Sequence, residues 1–191
     1  MGHQLRSAAI LLALLTVLTG VIYPLVVTGI AQVAFHHQAN GSLIEQKDDK
    51  CLGSELIGQP FDEPGYFWGR LSATASFSYN AAASSGSNYG PLNQALLDGI
   101  QKRIDALKAA DPENTQPIPV DLVTYSASGL DPHISVAAAL YQVPRVARQR
   151  GLSQTQVLAQ VNHFTQGRQF GILGEPRVNV LLLNQALDKM K

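Results

Sequence analysis

SAAILLALLTVLTGVIYPLVVTGIAQVAF, residues 7–35, decides how the rest of the chain is organised. It contains no Asp, Glu, Lys or Arg. As an α-helix rising about 1.5 Å per residue it would be roughly 43 Å long. A hydrocarbon core is about 30 Å thick and needs about 20 apolar residues to cross. The run exceeds the about 7–15 apolar residues of a signal peptide, and Val33 spoils the small-x-small pattern a cleavage site needs. The expectation is therefore a retained membrane anchor, residues 1–36, followed by one soluble domain, residues 37–191. Arg6 precedes the helix and the next charge after it is Glu45. That asymmetry places the amino terminus inside and the soluble domain outside.

The helix carries a stripe of small residues at spacings of three and four: Ala9, Ala13, Thr16, Gly20, Pro24, Thr28 and Ala31. In lipid, helices associate by close packing of such stripes. Pro24 removes a backbone donor, so a disturbance is expected near Tyr23.

Net charge is zero, which implies no general attraction to nucleic acid. The charge is unevenly placed. Residues 40–131 carry 6 basic and 12 acidic side chains, and residues 132–191 carry 7 basic and 2 acidic. The acidic portion, with Asp48, Asp49, Asp62 and Glu63, reads first as a solvated surface and otherwise as a lobe that concentrates cations at an ion entrance. Cys51 is the only cysteine, so neither an intrachain disulfide nor a cysteine metal cluster is possible. The adjacent His36 and His37 have no carboxylate or third His nearby in sequence and read as interfacial residues rather than metal ligands.

Beyond the anchor the pattern mixes helices and strands, an α+β domain. Strands are expected at 43–46, 66–71, 120–126 and 178–183. GSELIG, residues 53–58, has glycines spaced as in a phosphate loop, but Gln59 and Pro60 stand where Lys and Ser/Thr are needed. A helix opening at Pro91 and ending by Ala110 would bury Leu92, Leu96, Ile100, Ile104 and Leu107. The segment SASGLDPHIS, residues 126–135, is the densest in reactive groups. Ser128, Asp131 and His133 suggest a hydrolase, but Gly-x-Ser-x-Gly is absent and one short turn cannot set the three groups facing each other. The reading there is a turn formed by Ser126, Ser128 and Gly129, with Asp131 capping a helix that begins at Pro132. That helix would be restarted or kinked at Pro144 and closed by Gly151. Ser153 and Gln156 form a capping box for the next helix. Asn184 would cap a final helix, 185–191.

With these segments in view, the chain resembles the C-subunit family of the Kdp-type potassium-transporting P-type ATPase. The resemblance rests on YPL at 23–25, GSELIGQPF at 53–61, YFWGRLSAT at 66–74, YNAAASSGSNYGPLN at 79–93, VDLVTYSASGLDPHIS at 120–135 and RVNVLLLNQAL at 177–187. Leu71 and Val136 stand where the family is expected to have Pro. The resemblance implies an accessory, non-catalytic subunit of a bacterial inner-membrane complex that uses ATP, Mg2+ and K+. Its implied partners are a channel-like potassium subunit, a catalytic P-type ATPase subunit and a very small membrane subunit. The family is also described as binding ATP, which makes a nucleotide-binding regulator the alternative. Leu152, Ser153 and Gln156, in LSQTQ, echo the LSGGQ signature of ABC-type ATPases, but Gln154 and Thr155 replace the two glycines.

Overall fold

The structure is a computed structural model that describes residues 1–45 and 51–190. Gln46, Asp48, Asp49 and Lys191, to which strand, acidic-lobe and final-helix expectations were attached, lie outside the described residues. The chain divides into two compact units, Met1–Ser54 and Glu55–Lys191.

In the first unit, α1 (Gly2–Val17), a π-helical turn (Leu18–Ile22) and α2 (Tyr23–Ala34) follow one another without a break. Together they form one 33-residue helix, Gly2–Ala34, long and apolar enough to cross a membrane. None of the residues of α1, the π turn or α2 is buried. The wide turn lies where the disturbance is expected. Pro24 has no N–H to give to the preceding turn, and a π turn is a recognised way for a helix to absorb such a gap. Thr19 Oγ1 donates to the Leu15 carbonyl at 2.7 Å, a second local departure from the regular ladder. Phe35 leaves helical geometry, and a short α3 (His36–Ala39) follows. There His36 Nδ1 pairs with Gln32 Oε1 at 3.1 Å. β1 (Leu43–Glu45) pairs antiparallel with β2 (Cys51–Ser54).

The second unit is built on α5 (Val136–Arg150), which buries eight of its fifteen residues. It packs against α6 (Gln154–His163), and α6 against α7 (Val180–Asp188). A three-stranded antiparallel sheet in the order β3 (His133–Ser135), β5 (Arg177–Asn179), β4 (Thr165–Gln166) borders them. Phe67, Leu107, Leu122, Ile134, Val146, Val157, Val161, Val178 and Leu183 meet in one core. Gly151 closes α5 in the left-handed region at φ 67, which a residue without Cβ tolerates. Pro144 sits inside α5, which runs through it without a restart.

The strand expected at 66–71 does not form, Leu71 alone making an isolated bridge to Tyr125, and four further expectations are corrected. First, α4 (Gln94–Ala110) starts three residues later than Pro91, because Asn93 Oδ1 accepts from the Ala95 N–H and caps it. Leu92 is left 94% exposed, while Leu107 keeps its place in the core. Second, residues 120–126 form no strand. Val120–Leu122 is a 3-10 turn, because Asp121 is committed elsewhere: its carboxylate accepts from Ser135 N at 2.7 Å and Ser135 Oγ at 3.0 Å. Third, Asp131 is not a helix cap. Residues 133–135 are strand β3, and Ser135 caps α5 by accepting from Ala138 N at 3.0 Å. Val136, where Pro is expected, holds the first helical position, the one place in a helix that suits either residue. Fourth, the apolar run 178–183 turns from strand to helix after Asn179, whose side chain accepts from Leu182 N at 3.1 Å. Asn184 therefore lies inside α7 rather than at its start.

Candidate functional site

Residues 126–135 are held from three sides. Ser126 N donates to the Leu71 carbonyl at 2.8 Å, and Leu71 and Tyr125 form an isolated parallel bridge. Ser72 Oγ donates to the Gly129 carbonyl at 2.7 Å, and Ser85 N to the Ser128 carbonyl at 3.0 Å. Gly58 N donates to the Leu130 carbonyl at 2.8 Å, and Val180 N to the Pro132 carbonyl at 2.9 Å. Ser126 Oγ accepts from Gly129 N at 3.1 Å, closing the turn on itself. Gly129 sits at φ 70, and a Cβ there would lie 2.5 Å from Thr74 Cγ2 and 2.8 Å from the Ser85 carbonyl. Only glycine meets both the conformation and the space.

Arg70, Asp131 and His133 form a charged cluster on this turn. Arg70 Nη2 donates to the Tyr125 carbonyl at 2.9 Å, and Nη1 lies 3.4 Å from Asp131 Oδ2. Asp131 Oδ1 accepts from His133 N at 3.0 Å and lies 3.3 Å from His133 Nδ1. Burial by itself pushes the Asp131 carboxyl up. The side-chain and backbone hydrogen bonds from His133, with the charges of His133 and Arg70, outweigh burial and hold it below its ordinary value of 3.8. Next to the cluster, Tyr79 Oη donates to the Arg70 carbonyl at 2.7 Å, and burial pushes its phenol up to about 12. Two open clefts flank Arg70 and Asp131, of about 300 Å³ beside Asp121 and Glu175 and about 460 Å³ beside Leu56 and Ser128.

Asp131 and His133 are thus brought together, but Ser128 is not. Its Oγ accepts from Leu130 N at 3.1 Å and lies 3.3 Å from Ser126 Oγ. No hydrogen bond joins Ser128 to His133 among the described residues. The arrangement fixes a turn against residues 58–85 and has no nucleophile set against a base. Among the described residues no group of three or more His, Cys, Asp or Glu is placed to hold a metal ion.

Ser153 and Gln156 cap α6. Ser153 Oγ accepts from Gln156 N at 3.2 Å, and Gln156 Oε1 accepts from Ser153 N at 2.9 Å. Leu152 is half-buried and packs on the core. The five positions of the small stripe, Ala13, Thr16, Gly20, Pro24 and Thr28, are all exposed along the anchor helix. No atom approaches within 4 Å of where a Cβ on Gly20 would sit.

A polar network that pattern reading does not reach lies in the core. Gln142, Arg145 and Asn184 are 1–2% exposed. Asn184 Oδ1 accepts from Phe67 N at 2.9 Å, and its Nδ2 donates to the Phe67 carbonyl at 3.0 Å. Arg145 donates to the Pro64 carbonyl and, at 2.7 Å, to Gln142 Oε1, while its guanidinium lies 4.9 Å from the Trp68 ring centroid. Burial lowers its pKa to about 10. The available signal was a single Gln or Asn inside apolar helical runs, ALYQV and LLLNQ.

Residues 5–189 match the family model described as "KdpC: K+-transporting ATPase, c chain". The chain is 62% identical over 191 residues to the potassium-transporting ATPase KdpC subunit of Methylococcus capsulatus, covering 100% of both chains. It is 66% identical over 186 residues to that of Herpetosiphon aurantiacus, covering 97% of this chain and 96% of the relative. With the KdpC subunit of Paraburkholderia xenovorans the identity is 61% over 191 residues, 100% of this chain and 99% of the relative. A match of this extent, from the apolar helix through the turn at 126–135 to α7, makes the chain a member of the KdpC family.

Proposed function

We propose that this chain is an accessory, non-catalytic subunit of an ATP-driven potassium pump. It assembles with, and stabilises, a channel-like potassium subunit, a P-type ATPase subunit and a very small membrane subunit. The helix Gly2–Ala34 anchors it in the bacterial inner membrane. Arg6 on the amino-terminal side favours a cytoplasmic amino terminus and a periplasmic second unit. The observation that carries the reading is the full-length likeness to KdpC subunits. The chemistry agrees. The chain has no DKTGT-like phosphorylation motif, and its most reactive segment is tied up in a turn. ATP, Mg2+ and K+ serve the complex, and no cofactor is assigned to this chain.

Within the helix, the face formed by Ala13, Thr16, Gly20, Pro24 and Thr28 is the packing surface for a partner span. Every residue on it is small or, like Pro24, short, which lets two backbones approach closely. Gly20→Leu tests this. The substituted chain should lose co-purification with the two large subunits in mild detergent. An intact complex would remove this face from the interface.

A further inference from the structure

β4 and β5 are joined by a ten-residue hairpin tip, GRQFGILGEP, residues 167–176. It is ordered by its own hydrogen bonds: Gln169 and Leu173 exchange two backbone bonds of 2.9 Å, and Ile172 N donates to the Gln169 carbonyl at 3.2 Å. Arg168 clamps its base by donating to both Glu175 carboxylate oxygens at 2.8 Å. At the apex Phe170 (φ 52) and Gly171 (φ 77) are both in the left-handed region, the geometry of a primed hairpin turn. A bulky aromatic residue at positive φ is uncommon, because its Cβ crowds the backbone.

That conformation presents Phe170 to solvent at 92% exposure, with Ile172 at 74% and Leu173 at 55%. Space around the tip is open: no atom lies within 4 Å of where a Cβ on Gly167, Gly171 or Gly174 would sit. A strained backbone thus holds bare apolar surface out into solvent, and entry into an apolar medium would cover that surface.

We propose that this tip inserts into the surface of the bilayer that holds the anchor helix. Charge complementarity and reach single out lipid. Glu175 is neutralised by Arg168, so Arg177, whose side chain among the described residues bonds Gln166 Oε1, leaves the hairpin net positive. An aromatic and aliphatic wedge backed by arginine is the composition that binds anionic membrane interfaces. Only residues 35–54 separate the helix from the second unit, a tether of at most about 70 Å at full extension. The tip is thus held near a bilayer at high effective concentration. The inference rests on the anchoring reading above.

The test uses the full chain with Cys51→Ser and Ile172→Cys, labelled at the new thiol with an environment-sensitive NBD dye. It is reconstituted into vesicles of phosphatidylethanolamine and phosphatidylglycerol, with and without brominated acyl chains. We expect blue-shifted emission that brominated lipid quenches. Adding Phe170→Asp should abolish both effects while the chain still floats with the vesicles. A label at Leu92→Cys, on a different exposed loop, should stay water-like. Water-like, unquenched emission from position 172 in a floating chain overturns the inference and leaves the anchor standing. So does shielding that appears only when the ATPase's other chains are added, which assigns the tip to a protein partner. A chain that fails to float overturns the anchor and this inference with it.

Discussion

The carboxamide of Gln142 pairs with both backbone polar groups of Trp68, 74 residues away. Its Oε1 accepts from Trp68 N at 2.8 Å, and its Nε2 donates to the Trp68 carbonyl at 3.2 Å. Asn184 treats Phe67 the same way. Two side chains from α5 and α7 thus stand in for the neighbouring strands that residues 67 and 68 lack. An extended segment can be buried without a sheet when each N–H and C=O finds such a partner.

Replacing either amide by an isosteric apolar group should therefore cost more than an ordinary hydrogen bond. Gln142→Leu or Asn184→Leu strands two buried backbone groups and is expected to destabilise the chain by about 2–4 kcal/mol. The midpoint of chemical denaturation, followed by Trp68 fluorescence in detergent, measures it. A loss within about 0.5 kcal/mol, as for a surface site, would remove the claim.

Arg145 is the second support of the same segment. It is 2% exposed, forms no salt bridge among the described residues, and is held by the Pro64 carbonyl, Gln142 and the Trp68 ring. Arg145→Met removes the donor that the Pro64 carbonyl and the buried Gln142 Oε1 share, together with the stacking on Trp68, an expected loss of about 2 kcal/mol. Arg145→Lys keeps the charge but not the planar fork that serves two acceptors and the ring at once, so it should rescue only in part. Full rescue by Lys would show that charge alone matters there.

Asp131 gives the turn at 126–135 a dependence on acid. Its folded-state pKa lies below the ordinary 3.8, so its contribution to stability is complete above that value and is lost as pH falls through the depressed one. In Asp131→Asn the difference from the parent chain should be largest above 3.8 and shrink below it. Denaturation midpoints taken across that range check the sign. A difference that grows on acidification contradicts the arrangement.

Ser153 separates a helix cap from a nucleotide site. Ser153→Ala removes the acceptor of the Gln156 N–H and should cost about 1 kcal/mol of stability. Titration of the full chain with ATP should be the same before and after. Saturable ATP binding lost in Ser153→Ala, with stability unchanged, would favour the nucleotide-binding regulator.

Local chemistry was legible in the sequence where one residue type sets the outcome. The charge-free run 7–35, the Ser153–Gln156 capping box, the Gly151 stop and the left-handed Gly129 all have the geometry their residues call for. Elements whose fate depends on distant partners were not. A run such as VNVLLL is equally apolar as strand or helix, and the Asn179 side chain decides between them. SASGLDPHIS points to Asp131 as the cap, but the pairing of His133–Ser135 with Arg177–Asn179 moves the helix start to Ser135. Residues 66–71 have strand composition, yet Gln142 and Asn184 satisfy their backbone in place of a sheet. In the candidate turn, Ser126 and Gly129 could be read from spacing, while the pairing of Asp131 with Arg70, and the place of Tyr79, enter only through tertiary contact.

Membership of a potassium-pumping assembly is tested by purification through a tag on this chain. Membranes should be solubilised in mild detergent, the bound chains identified and weighed against one another, and ATP hydrolysis measured with and without K+. A channel-like subunit and a P-type ATPase subunit should elute with this chain in fixed proportion, and K+ should stimulate their hydrolysis. Recovery of this chain alone, with K+-stimulated hydrolysis left intact in the unbound fraction, would contradict it.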